Sequence, residues 1–200
     1  MSRPADTAAL LLIDPHSGRL ALGRDDTGLV TPMARPERGD GAGPVTTPAL
    51  PRAALGAPDT RTAAFQDAAL RALFECLGQL AARPAPVDAK LTREGGWGRI
   101  ARHQLIPDRA ALVYLGRAID PVDAPHRRHV RVFTAPLSAV SNSIKRRGRC
   151  ERLVWLDPEI AEHSLDDPAL APFLSRALSG AEIPALKVIF RAGHRVEQPL

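Results

Sequence analysis

The stretch Ala68-Ala69-Leu70-Arg71-Ala72-Leu73-Phe74-Glu75-Cys76-Leu77-Gly78-Gln79-Leu80 decides how the chain folds. Leu70, Leu73, Phe74 and Leu77 recur at i, i+3, i+4 and i+7, which is one apolar stripe of an α-helix. Asp59 or Thr60 can cap its start, and Gly78 stands where a left-handed glycine ends a helix. The spacing therefore predicts a helix over Asp59–Leu77. Asp67, Arg71 and Glu75 fall at i, i+4 and i+8, along a single line of it. A surface ladder of ion pairs is one reading of that line, and a residual metal site is the other.

Upstream, Ala8 to Ile13 is a continuous apolar run that suits a strand buried on both faces. It is read as a strand rather than as a leader or a membrane anchor, because a spanning helix needs a run of roughly 18 apolar residues. Asp14-Pro15-His16-Ser17-Gly18 is turn chemistry, and Arg19 to Gly23 returns as a second strand. Residues 31–59 concentrate proline and glycine with hardly any periodicity, and are expected to form an insertion loop open to flexibility. Downstream, strands are expected at Ala110–Leu115, Val130–Thr134, Arg152–Leu156 and Leu186–Phe190. Asp157-Pro158 and Asp167-Pro168 are helix starts, the second helix running to Gly180. The sum is an α/β chain with a mixed β-sheet, read as a single domain over residues 1–200.

Composition narrows the partners. The chain has 200 residues, 44% hydrophobic and 24% charged, the profile of a globular protein. Lys+Arg is 27 against Asp+Glu 22, for a net charge of +5. Lys90, Lys145 and Lys187 are the only lysines, so arginine carries almost all of the positive charge. Arginine forks match phosphate geometry. Aromatics at 4% leave little for stacking single-stranded bases, so a nucleic-acid partner is disfavoured and a small phosphorylated ligand is favoured. The cysteines, Cys76 and Cys150, are too few for a disulfide framework and point to a reducing cytoplasm. The best anion cluster is His126-Arg127-Arg128-His129-Val130-Arg131, in which Arg127, His129 and Arg131 alternate onto one strand face. Lys145-Arg146-Arg147-Gly148-Arg149 reads as a solvated loop.

In the helix, Arg71, Leu73, Glu75 and Gly78 match in register the end of a Nudix box, the Arg-Glu-apolar-x-Glu-Glu-x-Gly-apolar pattern of the Nudix hydrolase superfamily. Ala72 stands at the first glutamate of that pattern, Cys76 at the third and Gln79 at the apolar position. The family's leading glutamate falls on Ala63 and its leading glycine on Ala57. One Nudix subgroup has an insertion ahead of the box helix, preceded by a Pro-Gly-Gly-Arg-Val-Asp stretch. Pro32-Met33-Ala34-Arg35-Pro36-Glu37 resembles that stretch with both glycines gone. Ala124-Pro125-His126-Arg127-Arg128-His129-Val130-Arg131-Val132-Phe133 resembles the subgroup's Ala-Pro-Arg-Arg-Phe-Asp-Thr-Arg-Phe-Phe strand, and Leu153-Val154-Trp155-Leu156 its later Leu-x-Trp-Val strand.

The resemblance implies a Nudix-like α/β/α sandwich and chemistry on diphosphates linked to a nucleoside or coenzyme. It implies Glu75 and Arg71 as catalytic residues, Glu75 and Asp67 as ligands of Mg2+ or Mn2+, and Arg127, Arg131 and Arg35 as contacts to a phosphorylated small molecule. Such catalysis needs several carboxylates on one face to hold the ions, and the box keeps only one. Three readings follow. The first is an impaired or inactive relative that binds a phosphorylated ligand or a partner. The second is an active hydrolase whose metal ligands lie outside the usual box, drawn from Glu37, Asp40, Asp67 or Glu94. The third is a basic protein associated with nucleic acid.

Overall fold

The structure is a computed structural model that describes residues 3–42, 47–86, 95–140, 148–179 and 183–200. Strand β1 (Ala5–Asp14) is the spine. Its even residues Ala8, Leu10 and Leu12 enter one apolar core, and its odd residues Ala9 and Leu11 enter another. That is the period-2 alternation of a strand covered on both faces. The turn after it closes through Asp14, whose carboxylate accepts bonds from the His16 amide and the Ser17 hydroxyl, with Gly18 at φ 69°. Strand β2 (Arg19–Asp25) returns antiparallel, as expected.

The proline- and glycine-rich stretch carries short elements. After β3 (Gly28–Val30), β4 (Met33–Ala34) pairs with β1, and α1 (Arg52–Leu55) ends at Gly56. Helix α2 (Thr62–Leu77) follows a 3-10 turn over Asp59–Arg61, so the expected capping at Asp59 or Thr60 is replaced by that turn. The Asp59 carboxylate accepts instead from the Thr60 amide. Gly78 ends α2 in the left-handed conformation, its N–H bonded to the Phe74 carbonyl. Leu70, Leu73, Phe74 and Leu77 pack into the core shared with the even face of β1.

Beyond α2 come β5 (Ala82–Pro84), α3 (Gly95–Ala101) and β6 (Leu105–Pro107), with β5 and β6 forming a separate ribbon. Strand β7 (Val113–Ile119) begins later than the apolar run at Ala110 suggested, because Arg109–Ala111 is a 3-10 turn that points Arg109 inward. Strand β8 (Arg128–Pro136) runs parallel to β1 and antiparallel to β7. Strand β9 (Arg152–Leu156) pairs with β2, at the bounds expected. Helices α4 (Pro158–Ser164) and α5 (Ala171–Ser179) cover the odd face of β1. The predicted helix end at Gly180 lies outside the described residues. Strand β10 (Leu186–Arg191) runs parallel to β7 and continues into β11 (His194–Pro199), a strand that the sequence reading missed. Its exposed, mostly polar residues offer no apolar pattern. The main sheet runs β11-β10-β7-β8-β1-β2-β3, mixed in direction, between α2 on one face and α4 and α5 on the other. No described helix is long and apolar enough to cross a membrane.

Candidate functional site

Helix α2 is buried almost all round, so Asp67 and Arg71 lie inside the protein rather than on a surface ladder. Asp67 is 1% exposed. Its two carboxylate oxygens accept from Arg109 Nε and Nη2, both at 2.7 Å, and one also accepts from the Gly41 amide at 2.8 Å. Burial pushes the Asp67 carboxyl up, against the pull of Arg109. Arg109 also donates to the Ala42 carbonyl at 2.8 Å. Asp67 and Arg109 therefore bind the residue 40–42 segment to α2.

One turn on, Arg71 gathers acids from outside the helix. Its Nη2 donates to Asp40 at 2.8 Å and to the Arg35 carbonyl at 2.8 Å. Glu37 lies 3.3 Å from its Nε, and Glu75 lies 3.3 Å from its Nη1. Burial disfavours the charge on Arg71, but Asp40 first, and then Glu37 and Glu75, hold its pKa above the usual value. Helix α3 roofs the cluster. Gly96 donates its amide to Glu37 at 2.9 Å, and a Cβ there would overlap the Arg71 side chain. Trp97 donates its indole N–H to the Asp67 carbonyl at 3.2 Å.

The two lost box glutamates are buried positions. Ala72 is 1% exposed and Cys76 is 0% exposed, so neither faces a water-filled cleft. Glu75 is the one box carboxylate left, with a side chain 28% exposed and paired to Arg71. Among the described residues no group of three or more His, Cys, Asp or Glu is arranged to hold a metal ion. Hard divalent ions want several oxygen ligands, so these residues do not fit the Mg2+ or Mn2+ that the resemblance implies. Glu94 lies outside the described residues.

Within β8 the basic cluster divides by face as the alternation predicted, Arg128 to one side and His129 and Arg131 to the other, but Arg127 falls outside the strand and does not join them. Arg128 turns toward α5, where it clamps Asp120 at 2.6 Å and Asp167 at 2.9 Å. Arg131 turns the other way and is 0% exposed. It bonds Asp6 at 2.6 Å, donates to the Leu55 carbonyl at 3.0 Å, and lies over the Phe65 ring at 4.2 Å. All of these are framework contacts. Arg61 shares Asp6, also at 2.6 Å. Burial raises Asp6, yet the bonds from Arg131 and Arg61 hold it below its ordinary value. Arg127 lies just ahead of β8 and donates to the Asp120 carbonyl. The Arg35 side chain is exposed.

Sequence reasoning missed Arg117 on β7. Its Nη1 donates to His129 Nε2 at 3.3 Å and its Nη2 to the Ala53 carbonyl at 3.4 Å. Its Nε is buried with no hydrogen-bond partner among the described residues. Burial lowers its pKa, and no carboxylate among the described residues offsets this. His129 is pushed down to about 3, by burial first and then by Arg131 and Arg117. Arg131 and Arg61 thus share Asp6 beneath α1, and Arg117 lies beside them bonded to His129 and not to Asp6. No local motif announced this, because Arg117 sits alone in an apolar strand.

No family model matches the sequence, and no curated protein matches it. Solved structures do match in shape. The structure of a Nudix hydrolase from Alicyclobacillus acidocaldarius superposes with a TM-score of 0.64 at 16% identity, covering 91% of this chain and 95% of that one. The MutT protein from Bacillus halodurans superposes with a TM-score of 0.51 at 9% identity, covering 96% of this chain and 97% of that one. Together with the mixed sheet between helical layers, these likenesses establish that the chain has the Nudix fold.

Proposed function

We propose that this protein is an impaired or inactive relative of the Nudix pyrophosphohydrolases that binds a phosphorylated small molecule, a nucleotide or coenzyme diphosphate. The observation that carries the reading is the burial of Ala72 and Cys76 where the box pattern has glutamates. Glu75 alone, already paired with Arg71, gives a divalent ion too little oxygen and too little negative charge. Without that ion the charge developing on a diphosphate in the transition state goes unstabilised, which is usually the largest catalytic loss.

For the ligand, the cation we favour is Arg117 with His129 beside it, because Asp6 is shared by Arg131 and Arg61 and none of its oxygens bonds Arg117. Arg35 and Arg127 are further contacts, and Arg131 serves as framework. Nucleotide sugars, dinucleotides, coenzyme A and nucleoside triphosphates, with magnesium and then manganese, form the test panel. Turnover of about 1 s⁻¹ or more, within the ordinary enzyme range, overturns the inactive reading. Binding of the same compounds is expected to weaken at least tenfold, about 1.4 kcal/mol, in Arg117→Ala.

One observation favours the second reading, an active metal-dependent hydrolase with ligands outside the usual box. Glu37, Asp40 and Glu75 all meet the guanidinium of Arg71, so an ion that displaced that group would find three carboxylates. The same panel decides between the two.

A further inference from the structure

We propose that Cys76 and Cys150 are a disulfide-forming pair, a covalent modification site that ties the last turn of α2 to the segment entering β9. The two residues are 74 apart in sequence, yet their Sγ atoms stand 2.6 Å apart as free thiols. The backbones are already joined there. Arg149 donates its amide to the Glu75 carbonyl at 2.8 Å, and Cys150 donates its amide to the Cys76 carbonyl at 3.2 Å. With the main chains bonded and the two sulfurs already in contact, the cysteines are close enough for a disulfide, which needs a short Cα–Cα span and facing Cβ atoms.

Two glycines from different parts of the chain make the room. A Cβ at Gly148 would overlap the Cys76 carbonyl oxygen, and a Cβ at Gly23 on β2 would overlap the Cys150 sulfur. Neither glycine has a positive φ. Each is therefore explained by close approach to the cysteine pair and not by backbone conformation.

The chemistry requires a two-electron oxidant, and a peroxide suffices. Cys150, 7% exposed against 0% for Cys76, is the thiol a small oxidant reaches first. Its oxidation by peroxide gives a sulfenic acid and releases one water. The Cys76 sulfur then attacks the sulfenyl sulfur, the S–O bond breaks, the thiol proton leaves with the hydroxyl as a second water, and the S–S bond forms. Two thiols and one peroxide become one disulfide and two waters. Burial pushes the Cys76 thiol up to about 12, which disfavours it as the thiol that meets the peroxide first, and its contact with the Cys150 sulfur is what places it for the second step.

The test uses the full-length protein treated with hydrogen peroxide, quenched, and alkylated under denaturing conditions. The proposal expects loss of both alkylatable thiols, a mass lower by two hydrogens, and a non-reduced peptide map joining Cys76 to Cys150 within a monomer. It also expects a Tm raised by roughly 10 °C, as for closure of a long loop, and reversed by dithiothreitol. Cys150→Ser is expected to lose both the link and the shift. Two free thiols after oxidation, oxygen addition to Cys150 without a link, or a bridge between two chains would each overturn it.

Discussion

Around Arg71 on α2, three carboxylates, two from the residue 37–42 segment and one from the helix itself, meet one guanidinium, and the neighbouring Asp67 is matched by Arg109. Beneath α1, Arg61 and Arg131 share the single carboxylate of Asp6, and Arg117 stands beside them bonded to His129 and not to Asp6. The residue types are the same, and the balances are opposite. A buried arginine is thus no sign of a phosphate site until its partners are counted. Arg131 was expected, with Arg127, as an anion contact, yet it is fully committed to Asp6, main-chain carbonyls and Phe65. The excess of positive charge shows at Arg117, and the excess of negative charge shows beside the altered box.

The largest expected effect breaks the balanced side. Asp67→Ala leaves the Arg109 guanidinium buried without its bidentate carboxylate, and is expected to cost about 3–5 kcal/mol in chemical denaturation. Replacing the pair together, Asp67→Leu with Arg109→Met, is expected to recover most of that loss, because two apolar groups need no charge partner. A double variant as unstable as Asp67→Ala would show that packing, and not charge, sets the cost.

The next effect belongs to the unbalanced side. His129 is held neutral down to about 3 in the folded protein, whereas the unfolded chain takes up that proton near its ordinary value of 6.5. Below that value the unfolded state binds more protons, so stability rises with pH there and is lost as pH falls from 6.5 toward 3. At pH 5 the loss is about 2 kcal/mol. His129→Gln keeps a hydrogen-bond acceptor for Arg117 and is expected to flatten the stability profile between pH 5 and 6.5. An unchanged slope would place the titration elsewhere. The smallest effect is Glu75→Gln, which removes a half-exposed ion pair at 3.3 Å from Arg71. Its cost is expected to stay below about 1 kcal/mol.

Much of this fold was legible. The continuous run Ala8–Ile13 fixed a strand covered on both faces, the stripe on α2 with Gly78 fixed the main helix, and Arg152–Leu156 matched β9 at both ends. The failures share a cause. The Asp67-Arg71-Glu75 line was legible as one helix face, but its depth was not, because residues 37–42 and α3 come from distant sequence to cover it. Arg109 displaced the start of β7 for the same reason, turning in toward Asp67. The cysteine pair and the Arg117 cluster depend on strand register and on crossings between segments that no local spacing encodes.

The central claim is that the altered box has lost its divalent-ion site. Titrating the protein with Mn2+ and following the free ion by electron paramagnetic resonance tests this without any assumed substrate. No saturable site in the micromolar range is predicted, with wild type and Glu75→Gln giving the same trace. A saturable micromolar site that disappears in Glu75→Gln would contradict the account.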